Sequence, residues 1–482
     1  MEVIYYSVYI LLALFASLMV VLGLGFGLHL ERFLGKYAIP MIPILLVLAI
    51  GASAILSGRN VSFYGLSGVE TAASVNPLGG WILRLSTAAT VSISVVLSLS
   101  AIMRRNLGEG FGWPLFAAFA AYFTSCYIVS GILGSEPSFV HNNFYALIVF
   151  FAAYVTRNQS LDRFVCWSRD GLNIFICMGL LIGVVFPQIA VQQGYAGIIP
   201  GITFRLWGLA THANNLGPVA VVLMLLLRWK PYRWWGLNLL GTTAAMSSLL
   251  LSQSKTAWIA GAAALVVLWG YRVVDAIRSG KRSKPISLAQ FTLISGPFLL
   301  ASSLLIVIGI GVEFGHADHL LGRLDNQVLT LTGRDAIWAI TLQEWHLNPL
   351  FGYGPRLWSD EFAYRMGYFG VASNAHNQFV DVLGSSGVVG LLSLLAYLLL
   401  LLKYAWSSMG NTKGFSLALA VFILARCITE VPFKTGNVTT PDFLMHFILF
   451  AALLRARCAT GIATTQTHAW KPSSSSQKSF SS

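Results

Sequence analysis

The sequence predicts an all-α polytopic membrane protein, and three observations carry that prediction. Of the 482 residues, 56% are hydrophobic and only 10% are charged, against roughly a quarter charged in an ordinary soluble domain. Mean hydropathy is +0.71. Apolar runs of about 20 residues recur along the chain, each long enough to cross a hydrocarbon core of ~30 Å. This composition excludes a soluble enzyme, a disordered protein and a fibrous repeat. It leaves a membrane enzyme open.

Spans are placed near 6–29, 37–57, 78–102, 114–134, 138–155, 171–192, 208–228, 234–252, 255–274, 289–312, 376–402, 414–428 and 442–456, which gives about 12–13 transmembrane helices. The segment 414–428 is short for a span, so a tilt, a kink or an extension is expected there. The opening stretch MEVIYYSVYILLALF has no basic n-region and no small-residue cleavage site, and it reads as a first span rather than a removable signal.

A net charge of +13 would suggest nucleic acid in a soluble protein. In a polytopic membrane protein Lys and Arg gather in cytoplasmic loops instead, and no nucleic-acid partner is expected. Alternate loops hold Arg32 and Lys36; Arg104 and Arg105; Arg157, Arg163 and Arg169; Arg228, Lys230 and Arg233; Arg272, Arg278, Lys281, Arg282 and Lys284; and Lys403 and Lys413. With these inside, the long connection 313–375 faces outward, Arg205 lies near the outer face, and the Ser-rich tail 457–482 is inside, where disorder is expected. The five cysteines are odd in number and form no CxxC pair, so neither a disulfide framework nor a zinc site is supported.

The outward segment 313–381 concentrates the scarce charge: Glu313, Asp318, Asp325, Asp335, Glu344, Asp360, Glu361 and Asp381 are eight of the eighteen carboxylates. Connections this long are usually functional or disordered. The richness of this one in Trp, Phe, Tyr and Leu argues against disorder.

Three places could carry a reaction. In 329–355, Thr332 is a candidate N-cap, Asp335 completes a weak capping box, and a helix runs until Asn348-Pro349 stops it. Arg334 then sits in the first turn, where a cation opposes the helix dipole; that placement suits an anion bound by the N-terminal amides and the guanidinium together. The alternative is an interfacial helix whose Arg pairs with Asp335 or a lipid headgroup. In 201–222, Arg205 stands at the mouth of a span carrying His212, Asn214, Asn215 and Gly217. Polar residues at such depth face a bundle interior or cavity. Snorkelling to the headgroups is the other reading for Arg205, and a hydrogen-bonded core histidine is the favoured one for His212. In 372–392, His376 and Asn377 mark the re-entry into the membrane. A histidine there can serve as a base, or simply bond a carbonyl. Asp381 lies one turn beyond Asn377, and the glycines at 384, 387 and 390 permit close packing. No Asp-x-Asp pair, HExxH, GxSxG, Walker A or GxGxxG motif occurs in a suitable context.

The run Thr332-Gly333-Arg334, Trp338, Pro349, Gly352 and Gly354, then Ala375-His376-Asn377 and Gly387, resembles the signature of the O-antigen ligase and polymerase superfamily. Arg205, Gly208, Asn214 and Asn215, with Ser252-Gln253-Ser254-Lys255-Thr256-Ala257-Trp258, extend the resemblance over roughly 200–455. It implies N-terminal membrane helices over 1–200 and a catalytic membrane region over 201–456, of GT-C-like architecture with short helices in the outward loop.

The implied activity is an inverting, metal-independent glycosyltransferase of the bacterial inner membrane that needs no cofactor. Its donor would be an undecaprenyl-diphosphate-linked glycan and its acceptor a second glycan or lipid A–core. A chain-length regulator and a flippase would be companions. Carried across by residue, the resemblance makes Arg205 and Arg334 the groups that stabilise the diphosphate and His376 the base. Lys255, Trp338, Asn377 and Asn214 are substrate-binding candidates. Lys255 stands where family members usually carry Arg, which keeps the charge and loses bidentate phosphate binding.

Leu321-Gly322-Arg323 through Ile337-Trp338, and later Arg426, Thr429-Glu430 and Phe443 through His446, look closer to exopolysaccharide polymerases of the succinoglycan type. A polymerase is therefore favoured over a ligase. A transporter of the same lipid-linked glycans would call for an internal repeat with broken helices in both halves, and no such repeat is visible.

Overall fold

The computed structural model describes residues 2–62, 76–104, 112–195, 197, 199, 201–278, 334–366 and 373–469. The span expected at 289–312, the cap at Thr332 and the tail beyond 469 lie outside the described residues, as does the side chain of Asp335.

The chain is an all-α membrane protein. Among the described residues, six helical stretches are long and apolar enough to cross a bilayer: Gly35–Leu56, Leu78–Met103, Trp113–Leu133, Leu161–Val185, Lys255–Arg278 and Gln378–Ser407. In chain order the helices are α1 (Glu2–Leu56), α2 (Leu78–Met103), α3 (Trp113–Phe123), continued by a π-helical turn into α4 (Ser130–Leu133), α5 (Asn143–Val155), α6 (Leu161–Val185) and α7 (Pro187–Ala190). After a two-stranded hairpin come α8 (Ala213–Trp229), α9 (Trp235–Leu251), α10 (Lys255–Arg278), α11 (Arg334–Leu347), α12 (Asp360–Arg365), α13 (Gln378–Ser407), α14 (Phe415–Arg426) and α15 (Pro441–Ala469).

Three boundaries differ from the sequence expectation. The spans placed at 6–29 and 37–57 form one 55-residue helix, α1. The polar stretch between them is not a turn, because Glu31 accepts from Arg104 at 2.6 Å and from Ser100 at 2.9 Å on α2. The span placed at 171–192 begins at Leu161, where the Ser160 side chain caps the Arg163 amide. Its first turns are charged, so hydropathy alone starts the span too late. Lys230 pairs with Asp162 at 2.8 Å and Arg169 with Asp170. Finally, α15 runs on to Ala469, past the tail boundary set at 457; no proline interrupts it before Pro472.

Helix α8 is apolar on nearly every face and buried on nearly every face, and so is the Phe443–Ala456 part of α15; both run through the centre of the bundle. The cationic loops meet at one end. Arg163 donates to the Lys36 carbonyl, Arg169 to the Lys230 carbonyl and Arg272 to the Arg228 carbonyl.

Helix α13 is broken at Gly387, whose φ of 63° and ψ of −164° belong to no helix. The segment 349–354 fills the break. Tyr353 and Gly354 donate their amides to the carbonyls of Gly384 and Ser385, and Val388 and Val389 donate to the carbonyls of Pro349 and Leu350. Four backbone groups freed by the break thus find partners, as a break in an apolar helix requires. The carbonyl of Gly352 also accepts from the Ser135 amide.

Candidate active site

Arg205 enters the site on the hairpin. Strands β1 (Val191–Gln193) and β2 (Phe204–Leu206) pair antiparallel with Gln192 opposite Arg205. The hairpin and the turn after it are clamped by Arg59, which is buried beside Trp207. Its guanidinium donates to the carbonyls of Ile189 at 3.0 Å, Gly208 at 2.8 Å and Ala210 at 2.7 Å. Charge-assisted bonds of this kind contribute about 1.5–3 kcal/mol each in favourable cases, and their loss strands buried carbonyls. Arg59→Met is therefore expected to destabilise the fold by about 2–3 kcal/mol and to slow any reaction that uses Arg205. Thermal unfolding in detergent, read beside the reaction rate, checks both effects.

Arg205 itself is buried. Its Nε donates to the Ser252 carbonyl at 2.6 Å, its Nη2 to Asn214 Oδ1, and its guanidinium lies 4.8 Å from the Tyr195 ring centre. The snorkelling reading fails for this residue. Lys255 opens α10 three residues after Ser252, whose carbonyl Arg205 holds. His212 caps α8, its Nδ1 accepting from the Asn214 amide at 3.1 Å. This is the hydrogen-bonded core histidine favoured from the sequence.

Asn214 passes the chain of contacts on. Its Nδ2 faces Glu430 Oε1 at 3.4 Å, and the same oxygen lies 3.9 Å from Arg334 Nη2. The other carboxylate oxygen, Oε2, is 3.3 Å from His376 Nδ1. Asn214, Arg334 and His376, drawn from three separate stretches of sequence, therefore converge on one carboxylate, and Arg205 is joined to it through Asn214. Glu430 is nine-tenths buried. Burial alone would raise its pKa, but the His376 hydrogen bond and the charges of Arg426 and Arg334 outweigh that and hold it below the usual carboxylate range. It is ionised at neutral pH.

Arg334 opens the described part of α11, in the segment where the spacing predicts a helix. Trp338, one turn on, donates its indole N–H to the Ala375 carbonyl at 2.8 Å and so ties α11 to the residue before His376. The Ala375 amide donates to Asp381 Oδ1 at 2.8 Å, which is the orienting role open to that aspartate. His376 is held at a φ of 48°, in the left-handed region that a non-glycine residue seldom occupies and that clusters at functional sites. Asn377 caps α13, its Oδ1 accepting from Phe379 and Val380, while its Nδ2 donates to the Ile428 carbonyl at 3.1 Å. Both ends of that amide are engaged in holding the helix start to the Glu430 loop.

Sequence reasoning placed Arg205, Arg334, His376 and Asn214 but gave Glu430 no chemical role. A signal was present: a carboxylate in the short loop between two apolar stretches is costly and needs a reason. His446, also noted from the sequence, sits elsewhere in the core, its Nε2 2.6 Å from the Tyr397 hydroxyl among aromatic rings. Among the described residues, no three His, Cys, Asp or Glu side chains are grouped to hold a metal ion.

The arrangement offers two cationic side chains, one of them at a helix N-terminus, beside a histidine whose Nδ1 is engaged. It can hold an anion and take up a proton next to it. No curated protein is similar enough to the chain to add a relative by name. A model of the family described as O-antigen ligase matches residues 242–395, which include Lys255, Arg334, Trp338, His376 and Asn377 but not Arg205, Asn214 or Glu430. The chain is thus a multi-pass membrane protein in which residues 242–395, about a third of its length, are similar to the O-antigen ligase family.

Proposed function

We propose that the protein is an inverting, metal-independent glycosyltransferase that polymerises undecaprenyl-diphosphate-linked repeat units on the outer side of the bacterial inner membrane. The observation that carries this reading is the convergence of Arg205, Arg334 and His376 around Asn214 and Glu430. The acceptor hydroxyl oxygen attacks the anomeric carbon from the face opposite the diphosphate, and its proton passes to His376. The bond from that carbon to the diphosphate oxygen breaks, and the electron pair goes to the oxygen. Negative charge grows on the diphosphate as this happens, and fixed guanidinium groups in a dry site stabilise it. Lys255 adds a third cation to the same side.

A ligase that passes the glycan to lipid A–core would use the same chemistry. The matched family description favours that second reading, while Arg426, Thr429-Glu430 and Phe443 through His446 favour the first. The deciding experiment supplies the purified protein in lipid nanodiscs with one lipid-linked repeat unit, with and without lipid A–core, in EDTA. A ladder of products without core supports the polymerase. Product only with core makes it a ligase, and a strict requirement for a divalent cation overturns the account of leaving-group stabilisation by protein cations.

A further inference from the structure

We infer that Glu430 is the positioning residue for His376, fixing which ring nitrogen carries the proton and stabilising the imidazolium formed during transfer. The inference rests on the reading of His376 as the base. His376 Nδ1 lies 3.3 Å from Glu430 Oε2, and an ionised carboxylate has no proton to give, so Nδ1 is the donor. The neutral ring is then protonated at Nδ1, and the remaining nitrogen, Nε2, has the free lone pair that accepts the hydroxyl proton. When it does so the ring becomes a cation next to a buried anion, and the proton stays on the imidazole.

Glu430 is itself firmly held. Its amide donates to the Arg426 carbonyl at 2.8 Å, and Asn377 Nδ2 is bonded to the Ile428 carbonyl two residues before it. Arg426, buried at the end of α14, pairs with Asp442 at 2.5 Å and adds its charge on the far side. Among the described residues, the charged and titratable groups facing Glu430 are His376, Arg334, Arg426 and His212. Of the ionisable ones only His376 is within hydrogen-bond distance, since Arg334 stands off at 3.9 Å. The carboxylate serves the histidine more closely than it serves either arginine. The geometry also leaves Arg334 without a short partner in Glu430, so its guanidinium can turn to a diphosphate while Glu430 stays on the ring.

The test uses the full chain in nanodiscs and three variants. Glu430→Gln keeps the size and removes the charge, Glu430→Asp keeps the charge, and Glu430→Ala removes both. Glu430→Gln is expected to lower kcat by about 10²–10⁴-fold, as loss of an orienting carboxylate does in hydrolases, with the KM for the lipid-linked donor within about 3-fold. Glu430→Asp should restore part of the rate. Combined with His376→Ala, Glu430→Gln should cost no more than His376→Ala alone, because groups acting as a unit are not additive.

An independent arm needs no turnover. In ¹⁵N-histidine-labelled protein, His376, assigned by its loss in His376→Gln, is expected to be protonated at Nδ1. In Glu430→Ala the Nε2-protonated form should rise. An unchanged tautomer in Glu430→Ala, or a wild-type kcat in Glu430→Gln, overturns the inference. A protein that transfers no glycan from any lipid-linked donor but shows the tautomer change overturns the proposed function and leaves the positioning role standing.

Discussion

Arg334→Ala is expected to lower the rate of glycan transfer by at least about 10²–10³-fold while leaving the protein folded, because removal of one preorganised donor to a developing oxyanion commonly has that cost. The fold should survive because the side chain has no short ion pair to lose: Glu430 is 3.9 Å away, and Arg426 remains to balance it. Arg334 begins α11, so the mutation also leaves the helix without the cation that its own dipole disfavours. Stability should therefore hold or rise slightly even as activity collapses. Arg334→Lys keeps the charge but not the planar fork, and an intermediate rate is expected, about tenfold down. Initial rates on a lipid-linked donor, beside thermal unfolding of the same preparations, read both quantities. Near wild-type transfer by Arg334→Ala would sink the leaving-group role.

The second large effect concerns the backbone. Gly387→Ala should destabilise the protein by roughly 3–5 kcal/mol, combining the strain of a conformation nearly restricted to glycine with a steric clash. An added Cβ would stand 2.3 Å from the carbonyl carbon and oxygen of Leu350 and 2.5 Å from the Phe351 amide nitrogen. Those atoms belong to the segment that fills the break in α13, and the four hydrogen bonds made there cannot shift by an ångström and persist. Gly352 faces the same constraint from the other side, with a φ of 68° and the Ser386 amide nitrogen 2.5 Å from its missing Cβ. Gly410→Ala is the control, since nothing lies within 4 Å of that position. Its expected change is within about 0.5 kcal/mol. Equal melting temperatures for Gly387→Ala and Gly410→Ala would show that the break in α13 is not under this constraint.

Part of the site was legible because polar residues are conspicuous in an apolar chain. Arg205, Arg334 and His376 each interrupt or border a span, and each departs from what a bilayer segment tolerates cheaply. The helix at Arg334 was equally legible, since Asn348-Pro349 sets its end and α11 stops at Leu347. Hydropathy failed where charges are paired inside a helix. The first turns of α6 read as loop because Asp162, Arg163, Arg169 and Asp170 lower the average, and only the structure shows Asp162 and Asp170 paired with cations. The same holds at Glu31, whose partners are on another helix.

By itself the sequence determined that this chain is a bundle of membrane helices and where the polar side chains in and beside its spans stand, because apolar length and helix-stop chemistry are local properties. Only the tertiary structure decided what those side chains do together. Glu430 lies far along the chain from Arg334 and farther still from Asn214, so no spacing rule connects them. They meet because α8, α11, α13 and α14 pack with their ends at one place, and that packing is set by buried apolar faces, including a small cluster of Ile337, Ile340 and Ala375 beside the site. The same is true of the broken helix. Three glycines at 384, 387 and 390 announce close approach, but which segment approaches, and that it restores the lost hydrogen bonds, depends on where the chain from Pro349 to Gly354 returns.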